Sequence, residues 1–419
     1  MITPQPSCAD IYEHGLLPVE QAIKKISASL PAINDFQIIN IEQAKGRTLS
    51  QEIKAPFNVP SHDNSAVDGY AINSQDLPEE GIRSIEICDS AYAGKPSSKT
   101  ISTGQCIRIM TGAIIPEGVD LVIMQEQVKL QDKTISIDNN HEAGQNIRLS
   151  GEDIQQNETI LKPGRFITPA DIGMIASLGI SEIKVTRKLR VAIASTGNEV
   201  INIGDTRHNS SLYDSNRYSL YSALDRPDIE IINLGILEDS PEALLKSFNQ
   251  ASQIADIIIS TGGVSVGDAD HTKTALQQSG QIDFWKIAIK PGRPLAFGKL
   301  GNSIFFGLPG NPVAVMVTYF QFVLPALEQM LGIKEKNIRP TLQVKTTENI
   351  RKKQGRTEIV RGILGQQDDG SYSVRTTGKQ GSGILRSMSI ANAFIILEHD
   401  RMTVSVGETV TVQPFSGLF

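Results

Sequence analysis

Apolar residues recur at helical spacing in VEQAIKKISASL, predicting an amphipathic helix that Pro31 ends, and the first fifty residues read as helical throughout. From Ala55 to about Leu149 the pattern shortens to strand period. SIEICDS, QCIRIM, DLVIMQEQVKL and TISIDN are rich in β-branched residues and are separated by Gly, Pro and Asn. This texture predicts an inserted β-domain. Gly151 to Gly179 turns helical again, with Thr168, Pro169 and Asp171 opening the helix ADIGMIASLG, so the chain is expected to return to the first domain.

Lys188 to about Gly332 alternates between the two periods. Strand LRVAIAST, a helix near Arg217 to Leu224, strand IEIINLGIL, helix PEALLKSFNQAS, strand DIIIST and helix HTKTALQQS are followed by strands FWKIAI, LAFGKL and SIFFGL. Such alternation implies an α/β domain with a mostly parallel sheet, in which ligands bind at the carboxyl ends of the strands. The remainder, Arg339 to Phe419, is β-rich, with a hairpin expected at Asp369-Gly370 between ILGQQD and YSVRTT. The apolar stretch Val313 to Leu331 is interrupted by Gln321, Pro325 and Glu328, which favours a buried core helix over a membrane span.

Composition narrows the picture. A chain of 419 residues exceeds one typical core, and three or four compact units are expected. A net charge of −6 without a basic run argues against nucleic acid or an anionic membrane as partner. Cys8, Cys88 and Cys106 lie far apart and form no metal-ligand pattern, so they read as reduced thiols in a cytosol. The N-terminus has no cationic start followed by an apolar run, and no secretory signal is expected.

Candidate chemistry lies in the turns after the α/β strands. STGNEV places Glu199 where a strand ends, beside Thr196, Gly197 and Asn198. TGGVSVGDADH gathers Gly262, Gly263 and Gly267 around Ser265, Asp268 and Asp270. Glycines let backbone N–H groups approach a phosphate, and neighbouring carboxylates suit a divalent cation bridging to it. LEDSP adds Glu238 and Asp239, although Asp-Ser-Pro-Glu is also an ordinary helix cap with Pro at the first position. In KIAIKPGRP, Lys286 and Lys290 lie four apart along an expected strand, which would put both on one face, as phosphate binders or as a solvated edge.

FFGLPGNPVAVMV reads as strand, turn and helix, with Asn311 as N-cap and Pro312 at the first position. VPSHDNSAVDGYAI and MTGAIIPEG in the inserted domain carry Asp63, Asn64, Ser65, Asp68 and Thr111, while the last domain offers Arg356, Arg361, Lys379, Ser382 and Arg386. His62, His141, His271 and His399 are scattered without a nucleophile or ligand set. Neither a P-loop nor a GxGxxG turn is present. The residues alone support an α/β domain that binds a phosphorylated ligand and a divalent metal.

DNSAVDGYA, RIMTGAIIPEG, NIRLSGEDI, STGNEV, GGVSVGDAD, AIKPGRP, LPGNP and TTGKQGSG together closely resemble the MoeA family, which includes the E domain of gephyrin. The resemblance runs from about Leu17 to the C-terminus. It implies an α/β multidomain fold: a helical linker domain of residues 1–54 and 150–187, an inserted β-domain of 55–149, an α/β domain of 188–333 similar to the adenylyltransferase MogA, and a C-terminal β-barrel of 334–419. It also implies a cytoplasmic homodimer whose site is shared between subunits, with a MogA-like adenylyltransferase and molybdoenzyme maturation factors as further partners.

The implied reaction inserts molybdate into adenylylated molybdopterin, giving molybdenum cofactor and AMP with Mg²⁺ present. Matching residues are Asp153, Glu199, Asp239 and Asp270 as the acidic set, the last three as metal ligands. Gly262, Gly263, Ser265, Lys286, Lys290, Arg361 and Ser382 match substrate- and anion-binding positions, and Asp68 and Thr111 match positions that serve the partner subunit's site. A protein-binding scaffold and a phosphatase acting on simple adenylates stand as the two alternatives.

Overall fold

The structure, a computed structural model, describes residues 15–262, 280–334 and 339–415. Its strands of three residues or more in the N-terminal part are β1 (Phe36–Asn40), β2 (Gly69–Ile72), β3 (Arg83–Ala91), β4 (Gln105–Ile109), β5 (Leu121–Met124), β6 (Lys129–Gln131), β7 (Thr134–Ile137), β8 (Thr159–Leu161) and β9 (Glu182–Thr186). Strands β5-β2-β4-β3-β7-β6 form one six-stranded sheet, all antiparallel except β3 with β4. Chain segments on either side of this sheet run together. Ile53–Lys54 pairs with β8, Asn64–Ser65 pairs with Ile147–Arg148, and β1 pairs antiparallel with β9.

Helix α1 (Val19–Ser29) forms where the periodicity predicts it, but Phe36–Asn40 is a strand. The reading of the first fifty residues as wholly helical is therefore corrected. FQIIN meets the β-branched partner EIKVT across 150 residues of sequence, a pairing that local periodicity does not contain. Buried Ala22 and Ile26 of α1 pack into the α/β core, and Leu17 exchanges backbone hydrogen bonds with Lys286 and Ala288. Helix α2 (Pro169–Ser177) opens with a full capping box, the Thr168 hydroxyl accepting from Asp171 N while the Asp171 carboxylate accepts from Thr168.

The α/β unit contains β10 (Leu189–Thr196), β11 (Ile229–Leu237), β12 (Ile257–Thr261), β13 (Gly280–Lys286), β14 (Pro294–Leu300) and β15 (Ser303–Leu308), in the order β11-β10-β12-β15-β14-β13. The first four are parallel and the last two run antiparallel at one edge. Helices α3 (Ser215–Leu224) and α4 (Pro241–Ala251) cover opposite faces. Val191 and Ile193 of β10 pack with Leu220 and Leu224 of α3, whereas Ala192 packs with Leu244 and Phe248 of α4. Burial on both faces explains the unbroken apolar runs of these strands.

Helix α5 (Pro312–Met330) passes through a π-helical turn at Tyr319–Val323 and lies under the same sheet. By length and composition it is the one described helix able to cross a membrane, yet 72% of its most apolar window is buried inside the protein. It is a core helix. Beyond it, β16 (Leu342–Thr346), β17 (Thr357–Gln366), β18 (Tyr372–Thr376), β19 (Ala393–Leu397) and β20 (Thr409–Pro414) pair in the order β17-β18-β16-β20-β19, and β19 returns to β17, closing a five-stranded barrel. The hairpin expected at Asp369-Gly370 joins β17 to β18, with Gly370 at φ +83°.

Candidate functional site

The chain leaves β10 toward β11 on one side and returns to β12 on the other, so the carboxyl ends of β10 and β12 flank the point where strand order reverses. A cleft of about 870 Å³ opens there. Its floor is Ser195, Thr196 and Thr261, and the Ser195 and Thr261 hydroxyls lie 3.2 Å apart. Gly262 at φ +84° follows, where a Cβ would stand 2.6 Å from Thr196 O, so this turn accepts glycine alone. Gly197 at φ +127° lets the Glu199 carboxylate fold back over it, since a Cβ there would approach Glu199 Oε2 to 2.8 Å.

A second wall is the loop from Glu199 to α3. Asp214 caps α3 by accepting from Arg217 N at 3.0 Å, and the Arg217 guanidinium returns to Asp214 Oδ2 at 2.9 Å. The same guanidinium donates to Asn202 and Asn233, fastening the loop to β11, and both members of the pair are buried. Asn216 donates to Gly310 O at 2.7 Å and so ties α3 to the LPGNP turn. Asp239 lines the cleft after β11, but it is not the cap of α4. Ser240 takes that role, accepting from Ala243 N.

The third wall joins the α/β unit to the barrel. Lys286 and Lys290 do not share one strand: β13 ends at Lys286, while Ile289–Lys290 forms a separate parallel pair with Thr357–Glu358 of β17. The cleft takes Lys290 and not Lys286 into its described lining, and Lys290 Nζ meets Glu358 Oε2 at 3.1 Å. The expected single strand is thus corrected, because Ile287 is drawn into a bridge with Leu17 between the two lysines. Gln380 to Gly383 closes this side, with Ser382 O accepting from Val313 N at the start of α5.

Of the expected site residues, Glu199, Asp239, Gly262, Lys290 and Ser382 line this cleft. Arg361 does not. It is 1% exposed, donates to Ser387 Oγ and Gly381 O, and thereby holds the loop that forms the wall. Burial pulls its pKa down to about 10. Asp68 and Thr111 bond to each other in the inserted domain, and exposed Asp153 lies beside Val59; none of the three lines the cleft of its own chain. Gly263, Ser265 and Asp270 fall outside the described residues. Asp214, Asn216 and Glu358 escape sequence reasoning, although Asp-Ser-Asn opening a helix beside a strand end is a legible signal for the first two.

A doubly wound sheet with glycine turns and the carboxylates of Glu199 and Asp239 at its strand ends, closed on one side by Lys290 and the barrel, defines a multidomain α/β protein with a cleft at the switch point. Residues 17–179 match the MoeA N-terminal region (domain I and II), 192–329 a probable molybdopterin binding domain, and 343–415 the MoeA C-terminal region (domain IV). A molybdopterin molybdenumtransferase of Haemophilus influenzae is 41% identical over 404 residues, covering 96% of this chain and 100% of the relative. Another from Bacillus subtilis is 30% identical, covering 94% of this chain and 93% of the relative. The crystal structure of a molybdopterin biosynthesis moeA protein from Pyrococcus horikoshii superposes with a TM-score of 0.84 at 28% identity, covering 95% of this chain and 100% of that one. The chain belongs to the MoeA family of molybdopterin molybdenumtransferases, enzymes of molybdenum cofactor biosynthesis.

Proposed function

We propose that this enzyme inserts molybdate into adenylylated molybdopterin and releases AMP, in a reaction that requires Mg²⁺. One observation carries the reading: a single cleft sets Gly262, Glu199 and Asp239 on one side and Lys290 and Ser382 on the other. The first group suits the phosphoanhydride and a cation, and the second suits an oxyanion. A scaffold would not need this opposition of charges.

Among the described residues no group of three or more His, Cys, Asp or Glu side chains is gathered for a metal. Mg²⁺ nevertheless fits the residues present, because it takes one or two carboxylates and completes its shell with water and phosphate oxygens. Glu199 and Asp239, with Asp270, would hold it, and the bound ion would neutralise phosphate charge. Lys290 would offset the charge that develops as an oxygen of molybdate or water attacks one phosphorus and the P–O–P bond breaks, leaving one phosphate on the pterin and the other on AMP. Arg361 acts through the Gly381 loop that it holds.

Asp68, Thr111 and Asp153 stand outside the cleft of their own chain, which supports a homodimer with a shared site, the three residues serving the partner's cleft. The enzyme would work in the cytoplasm. A MogA-like adenylyltransferase would supply the substrate and maturation factors would accept the product. Substituting Asp239→Asn and Lys290→Gln tests the assignment. Each is expected to lower kcat at least tenfold in a folded protein, and wild-type turnover in both would contradict it.

A further inference from the structure

Lys290 enters the cleft already paired. Its ammonium lies 3.1 Å from Glu358 Oε2, and the two residues are register partners on the seam between Ile289–Lys290 and β17. Exposure is unequal: the Lys290 side chain is 53% accessible and that of Glu358 12%. Lysine faces the cleft and glutamate lies behind it. Glu358 is further fixed by its strand, where it pairs with Leu397 of β19, and its charge favours the ammonium form of buried Lys352. Lys352 donates to the backbone oxygens of Lys353, His399 and Arg401, so its position does not depend on Glu358 alone.

An ammonium has three donors, so Glu358 and an incoming oxyanion can both be held. The anion must then sit within a few ångströms of a carboxylate. A counter-charge of this kind has two opposite effects: it aims the lysine, and it lowers the lysine's affinity for any anion. The geometry points to Glu358 as a specificity-determining residue that restrains the Lys290 subsite, so that a bare oxyanion binds there weakly. The anion would bind firmly only when the rest of the substrate occupies the cleft beside it. This inference rests on the reading of Lys290 as an anion-binding residue.

The two roles of Glu358 predict opposite signs. If it only aims Lys290, neutralising it weakens anion binding; if it restrains the subsite, neutralising it tightens binding. Molybdate binding to the purified full chain is measured by calorimetry for wild type, Glu358→Gln and Lys290→Gln, with thermal unfolding as the check on folding. Glu358→Gln is expected to bind molybdate about tenfold more tightly, with sulfate and phosphate gaining similarly, and Lys290→Gln to bind it about tenfold more weakly. Should Glu358→Gln fail to fold, Glu358→Asp, one methylene shorter on the same strand, is expected to tighten binding about threefold as the carboxylate draws back. Unchanged or weaker binding in a folded Glu358 variant overturns the inference alone. Unchanged binding in Lys290→Gln overturns the anion-binding reading and this inference with it.

Discussion

Asp68 Oδ1 accepts two hydrogen bonds from Thr111, one from its backbone N–H and one from its hydroxyl, each 2.8 Å long. The contact pins the loop before β2 to the loop after β4. The Thr111 backbone and side-chain bonds hold the Asp68 carboxyl below its usual range, so it stays ionised. Two residues expected separately from sequence thus form one unit, with Oδ2 left outside both of these bonds.

If that unit serves the partner's cleft, subunits with complementary defects should restore activity. Asp68→Ala and Lys290→Gln protomers, each inactive alone, are expected to recover about a quarter of wild-type turnover after random reassociation, because mixed dimers carry one intact site. No recovery despite proven subunit exchange would place both residues in the same site.

Gly262→Ala should injure the cleft through the backbone. Its φ of +84° and the 2.6 Å approach of a Cβ to Thr196 O leave no room to relax without moving the end of β10. A loss of about 1–3 kcal/mol in stability and of most turnover is expected from chemical unfolding and AMP-release assays.

Arg217 supplies a different failure. Removing it as Arg217→Met leaves buried Asp214 uncompensated, and a loss of about 3 kcal/mol is expected. The double variant Arg217→Met with Asp214→Leu should be less destabilised than the single one. Comparison of their unfolding midpoints checks the sign.

Acid sensitivity follows from Asp171. Burial alone would raise its carboxyl, but the bonds from Arg165 and Thr168 prevail and hold it below its ordinary value. A depressed folded pKa gives stability that is present above the unfolded value of about 3.9 and lost as pH falls through the folded one. Asp171→Asn is therefore expected to cost about 1–2 kcal/mol near pH 7, and its difference from wild type should shrink below about pH 4. Urea midpoints across that range give the measurement.

What was legible in the sequence was what local chemistry decides. The Thr168–Asp171 capping box, the Asp369-Gly370 turn and the Ile257–Ile259 run of β12 depend on neighbours a few residues away. The separation of Lys286 from Lys290 depends on Leu17 and Glu358, which come from opposite ends of the chain. The burial of Arg361 and its bond to Gly381 O depend in the same way on the closed barrel, which a glycine-rich loop beside an arginine does not announce. That Glu199 and Asp239 line one cleft is legible because a strand end fixes a turn, and turns at strand ends in a parallel sheet converge.

The most direct test is AMP release from adenylylated molybdopterin by the purified protein, with molybdate and Mg²⁺ supplied together, singly and not at all. Release that depends on both, and that falls in Asp239→Asn, is the predicted result. No release by folded protein, or equal release without molybdate, would contradict the insertion reaction.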